Sequence, residues 1–71
     1  MPIVKVSTTE MVNLDCVQKI TLEDNHLRFY TSVNKDAYIA KYCKSAPIAY
    51  EAFDFLNERL KAGDTFIDIT D

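Results

Sequence analysis

Apolar and polar residues alternate over residues 16–43, as they do in β-strands that bury one face. Polar turn residues interrupt the alternation at Asp24 and Asn25 and again at 33–36. Asp and Asn tolerate the positive φ that a two-residue hairpin turn requires. The pattern therefore predicts a three-stranded antiparallel meander with strands over 16–23, 26–31 and 37–43.

The period changes after Ser45, because the apolar residues of 47–62 fall on one side of a helix, within an arc of about 160°. Ser45 is a favourable N-cap, Pro47 is tolerated in a first helical turn, and Gly63 fits a C-cap that needs positive φ. We therefore predict an amphipathic helix from Pro47 to Ala62. Its opposite side is acidic and includes Glu51, Asp54 and Glu58.

Two short β-branched runs flank these elements. Ile3 to Val6 predicts a first strand, which we expect at a sheet edge because Pro2 cannot donate to a ladder. Residues 11–15 indicate a loop or the second half of a first hairpin, and Phe66 to Ile69 predicts a closing strand. The predicted fold is α+β, a three- to four-stranded meander with one helix on one face and a short C-terminal strand, in a single domain of residues 1–71.

The size and charge of the chain indicate self-association and a partner other than a polyanion. A chain of 71 residues buries only about 60% of its surface, so an isolated fold is marginal and we expect a homodimer. It would be sealed by a sheet face or by exchange of the terminal strand. The net charge is −3, with six basic and five acidic side chains in residues 1–45 and two basic and six acidic in residues 46–71. This balance gives no general attraction to nucleic acid.

Few residues suggest chemistry, and we expect no enzyme, cofactor or metal. A single glycine excludes glycine-rich phosphate loops, and Cys16 and Cys43 are too far apart for a C-x-x-C pair or a zinc site. Cys43 and His26 fall at neighbouring strand ends, which leaves open a small thiol enzyme, but no orienting group stands beside them. We expect His26 to be a solvent-exposed turn residue.

The compartment follows from the cysteines and from the hydropathy pattern. Residues 1–5 lack the apolar core of a signal peptide, and no apolar run approaches the ~20 residues that span a bilayer. We therefore expect a cytoplasmic protein with reduced thiols and no membrane contact.

Tyrosines and cations alternate along two neighbouring strands of the predicted meander. Because one helix covers only one face of a sheet, Arg28, Tyr30, Tyr38 and Tyr42 are expected on the other face. The leading hypothesis is a non-catalytic protein-interaction or assembly module that self-associates. Its expected partner-binding residues are Arg28, Tyr30, Tyr38, Tyr42 and Lys44.

Two other interpretations of these tyrosines remain open. The face could bind single-stranded nucleic acid, with Lys41 joining the partner-binding residues, since bases stack on aromatic rings. Alternatively, Tyr38 or Tyr42 could turn inward or simply cap the sheet edge with a wet hydroxyl.

Overall fold

A computed structural model describes residues 2–31 and 37–70 of the chain. The described residues form an α+β fold, as predicted, with two three-stranded sheets and one helix. The elements in chain order are β1 (Ile3–Ser7), β2 (Glu10–Asn13), β3 (Lys19–Glu23), β4 (His26–Tyr30), β5 (Tyr38–Tyr42), α1 (Ala46–Lys61) and β6 (Phe66–Asp68).

The predicted meander is confirmed as the antiparallel sheet β3-β4-β5. Asp24, in the turn between β3 and β4, has φ 49°, the positive φ expected of a two-residue hairpin turn. The strand β3 begins three residues later than predicted, because residues 14–16 form a short 3₁₀ turn in which the Asn13 side chain accepts a hydrogen bond from the Asp15 backbone N–H (3.0 Å). The turn predicted at 33–36 lies outside the described residues.

The second sheet has the strand order β2-β1-β6, so β1 is its central strand and the prediction of an edge position is wrong. The strand β1 pairs antiparallel with β2 and parallel with β6. Pro2 lies just before the paired segment, so its missing N–H removes no ladder bond; Ile3 N donates to Thr65 O (2.9 Å). The first hairpin therefore forms, and β6 pairs with β1 of its own chain.

The helix α1 begins and ends one residue earlier than predicted. Ser45 caps it, since its Oγ accepts a hydrogen bond from the Ile48 backbone N–H (3.4 Å). Ala49 and Leu56 are its buried residues, and the helix packs against β3 and β4. One core joins the helix to both sheets, built from Val4, Val6, Val12, Leu27, Phe29, Leu56, Ile67 and Ile69.

One cation lies on the inner side of the meander. Lys41 of β5 pairs with the buried Leu27 and is only 8% exposed, so it is not on the tyrosine face that the nucleic-acid hypothesis required. The pKa of Asp68 on β6 is lowered chiefly by hydrogen bonds from Thr70, and the charge of Lys41 adds a smaller effect in the same direction. An inward-pointing charge on an edge strand is a common obstacle to pairing with a further strand.

Gly63, which follows the helix, has φ +83°. We expect Gly63→Ala to lower the free energy of unfolding by about 1 kcal/mol, because a Cβ is strained in this region. Gly63→Asn should lower the free energy of unfolding by less, since Asn tolerates the left-handed conformation. Chemical denaturation of the three proteins measures the difference, and equal losses for Ala and Asn would contradict this explanation.

The pKa of Asp68 lies below its usual 3.8, first because the Thr70 hydroxyl donates to Oδ1 (2.5 Å) and then because the Thr70 backbone N–H donates to the same oxygen (2.9 Å). We expect Thr70→Val to raise this pKa toward 3.8. A lowered pKa stabilises the folded chain fully above the ordinary value, and the effect disappears as pH falls through the folded value. Thr70→Val should therefore lose stability at neutral pH and lose none in strong acid.

An NMR titration of the Asp68 carboxyl carbon checks this expectation. Thr65→Val, at an exposed threonine near the start of β6, is the matched control and should leave the titration unchanged. An identical Asp68 titration in wild type and Thr70→Val would show that the hydroxyl does not set the pKa.

Candidate functional site

The meander has one face toward the core and one face away from it. Strand alternation directs five apolar side chains to the core, namely Ile20, Leu22, Leu27, Phe29 and Ile39. The opposite side, called the outer face below, consists of three rows of three residues that are paired across the strands. These rows are Lys19, Tyr30 and Tyr38; Thr21, Arg28 and Ala40; and Glu23, His26 and Tyr42.

The outer face contains four of the five predicted partner-binding residues. Arg28, Tyr30, Tyr38 and Tyr42 share it, as the alternation predicts. Tyr38 is 38% exposed and Tyr42 is 62% exposed, so the alternative in which these rings turn inward is wrong. Lys44 is exposed but follows the last paired residue of β5 and is not a member of the three rows.

Arg28 connects the rows. Its Nε donates to His26 Nε2 (3.0 Å) and its Nη1 donates to the Tyr30 hydroxyl (3.3 Å). The guanidinium carbon also lies 4.7 Å from the centroid of the Tyr38 ring, a cation–π distance. The pKa of Arg28 is raised, chiefly by the hydrogen bond to Tyr30. The guanidinium is thus held in place by three side chains of the face it lies on.

Ring contacts order the rest of the face. The rings of Tyr30 and Tyr38, directly opposite each other on β4 and β5, have centroids 5.3 Å apart, and the Lys19 ammonium lies 4.7 Å from the Tyr30 centroid. Lys19 was not singled out from the sequence, although its place in the alternation puts it on this side. The cross-strand pairing of Lys19 with Tyr30 is the signal that identifies it.

His26 is 9% exposed, so the prediction of an exposed turn histidine is wrong. Its ring stacks on Tyr42 with centroids 4.7 Å apart, and Arg28 covers its Nε2. Cys43 does lie beside the turn between β3 and β4, since Cys43 N donates to Asn25 O (2.8 Å). However, the Nε2 lone pair of His26 already accepts from Arg28 and is not available to deprotonate a thiol.

Two polar atoms of the outer face are buried without a hydrogen-bond partner. Among the described residues, Thr21 Oγ1 and His26 Nδ1 are the buried side-chain atoms in this condition. Both flank Arg28, because Thr21 is its cross-strand neighbour and His26 is two residues before it on β4. Both atoms are covered by neighbouring groups of the same chain.

Other surfaces of the described chain have fewer features of a binding or catalytic site. A shallow groove of about 170 Å³ between α1 and β3 is lined by Ile20, Phe53, Leu56, Asn57 and Leu60, with no titratable side chain. Within residues 2–31 and 37–70, no three His, Cys, Asp or Glu side chains are grouped so that they could hold a metal ion. Cys16 is exposed and Cys43 buried, and both are free cysteines. None of the described helices is long and apolar enough to cross a membrane.

The hydrogen bond from Arg28 fixes the tautomer of His26. A guanidinium only donates, so Nε2 must accept and the proton of the neutral imidazole must be on Nδ1. We expect long-range ¹H–¹⁵N NMR spectra of the neutral imidazole to show the Nδ1–H form. In Arg28→Met the preference should be lost, while Lys19→Met on the same face should keep it. A wild-type spectrum with the proton on Nε2 would contradict the hydrogen bond.

Comparison of the chain with models of protein families, with curated proteins and with solved structures gives no significant match.

Proposed function

We propose that this chain is a non-catalytic interaction module that self-associates through its outer face. The observation that carries the proposal is the ordered group of Arg28, Tyr30, Tyr38 and Tyr42 on a sheet face opposite the helix. Tyrosine and arginine are among the residue types enriched at the centres of protein interfaces. Exposed rings on such a face gain most by packing against another protein surface.

The contacts within the face also favour binding, because they lower its entropic cost. Ordering a flexible side chain on association costs about 0.5–1.5 kcal/mol. The Arg28 side chain is already held by His26, Tyr30 and Tyr38, and the Tyr42 ring already stacks on His26. A partner would therefore meet a surface whose side chains need little further ordering.

Single-stranded nucleic acid is the less favourable occupant of the same face. Bases bind such sheets by stacking on exposed ring faces, but here Lys19 lies over Tyr30 and Arg28 lies over Tyr38. A base would have to displace these cations. The chain also has a net charge of −3, which opposes the approach of phosphates.

The proposed module acts in the cytoplasm. Support comes from the two free cysteines, one exposed and one buried, since a reducing compartment keeps such thiols unpaired. Its partner is a second copy of the chain or another protein that presents a matching surface.

Substitution of Tyr42 tests the proposal against a closely matched control. Tyr42 on the outer face is 62% exposed and Tyr50 on α1 is 61% exposed. In sedimentation equilibrium the wild-type average mass should rise above 8.1 kDa as concentration increases to the high micromolar range. Tyr42→Ser should weaken this association by about tenfold or more, as loss of an interface tyrosine does, and Tyr50→Ser should leave it unchanged.

Two results would contradict self-association through the outer face. One is a mass of 8.1 kDa at every concentration, and the other is an equal effect of Tyr42→Ser and Tyr50→Ser. Titration with a labelled single-stranded oligonucleotide at low and moderate salt provides the comparison with the nucleic-acid alternative. Binding that weakens steeply with salt and is abolished by Arg28→Gln would favour that alternative instead.

A further inference from the structure

We propose that the outer face binds the outer face of a second copy of the chain. The two copies are related by a two-fold axis that runs across the strands, parallel to the row Thr21, Arg28 and Ala40. This inference rests on the proposed function and names its partner and register. The axis lies in the plane between the two facing sheets, so the pair is closed and isologous.

The three rows of the face make this arrangement self-complementary. Rotation about the middle row places the row Lys19, Tyr30 and Tyr38 of one copy opposite the row Glu23, His26 and Tyr42 of the other. Lys19 then faces the partner's Glu23, and Tyr38 faces the partner's Tyr42. Both pairs occur twice, once on each side of the axis.

The charged pair is complementary only between copies. Lys19 and Glu23 are the two ends of β3, about 13 Å apart at the usual strand rise, which is too far for contact within one chain. Facing sheets are about 10 Å apart, a distance that a lysine and a glutamate can bridge. A two-fold axis along the strands would instead place Lys19 opposite the partner's Tyr38 and Glu23 opposite the partner's Tyr42, with no pair of opposite charges.

The same rotation sets the remaining pairs of the two faces. Thr21 faces the partner's Thr21 across the axis, and His26 faces the partner's Tyr30.

Arg28 is the unfavourable element, because it faces the partner's Arg28 across the axis. Each guanidinium retains its bond to Tyr30 and its contact with Tyr38, and the charge of Glu23 acts on it favourably. The acidic side chains Glu51, Asp54 and Glu58 lie on the exposed side of α1, beyond the opposite face of the sheet. The two copies therefore meet on the surface away from their acidic helices.

The size of the face sets the strength of the complex. Three strands of five residues cover about 17 Å by 10 Å, roughly 170 Å² of sheet on each copy, which is well below the ~800 Å² per partner of a standard interface. We therefore expect weak association, seen only at the highest protein concentrations. The main competing arrangement, the acidic helix of one copy on the outer face of the next, joins opposite sides of the molecule and would build open chains.

Charge reversal at the two ends of β3 tests the register. Lys19→Glu places two glutamates against each other at both contacts, and Glu23→Lys places two lysines there. Each variant alone should dimerise about tenfold or more weakly than wild type at low salt, since exposed pairs contribute modestly and two become repulsive. An equimolar mixture should form a heterodimer of near wild-type strength, because both of its contacts are of opposite charge.

The double variant Lys19→Glu with Glu23→Lys should likewise dimerise with itself as wild type does. Glu51→Lys and Lys61→Glu, on the exposed side of α1, are the matched charge reversals and should have no effect. Circular dichroism of every variant confirms that the fold is kept. Sedimentation equilibrium measures the dissociation constants and detects species larger than a dimer.

The outcomes separate the register from the proposed function. If Tyr42→Ser weakens the dimer but the single charge variants do not, or their mixture fails to recover, the two-fold register is wrong and the proposed function stands. Loss of association in Glu51→Lys together with species larger than a dimer would favour the open chain and overturn the register. A wild-type chain that stays monomeric overturns both.

Discussion

The structure depends on one constraint, which is that the core covers only one side of the meander. Residues of β4 alternate between the core, where Leu27 and Phe29 are fully buried, and the outer face, where Arg28 and Tyr30 lie. A shift of one residue would exchange these sets and place Arg28 in the core. The apolar pattern that folds the sheet therefore also assembles the tyrosine face on its other side.

The sequence predicts the parts of this fold that local pattern determines. The meander and α1 were predicted because two-residue and 3.6-residue periods are visible in a short stretch of chain. The sheet β2-β1-β6 was not predicted, because β1 and β6 pair across some sixty residues and each contains only a short β-branched run. No local signal records that a strand near Pro2 becomes central, so its edge placement was a reasonable but wrong expectation.

The candidate site, like the fold, could be predicted from the sequence only where local pattern determines it. Alternation places Arg28, Tyr30, Tyr38 and Tyr42 together without any knowledge of contacts. The burial of His26 cannot be obtained that way, because it arises from the cross-strand ring of Tyr42 and from the side chain of Arg28. Whether a residue next to a turn is exposed depends on the size of its neighbours on the next strand, which periodicity does not describe.

The two sides of the meander bear differently on the proposed association through a face and on association through a sheet edge. The edge strand β5 has Lys41 directed to the inner side, where its charge acts on Asp68, and a further strand added there would have to accommodate it. On the outer face, Lys19 and Arg28 are already held against rings, and Arg28 alone would face a like charge in the proposed pair. In the proposed pair, a small domain that buries little surface on folding would gain contact area through its face, while Lys41 opposes strand addition at β5.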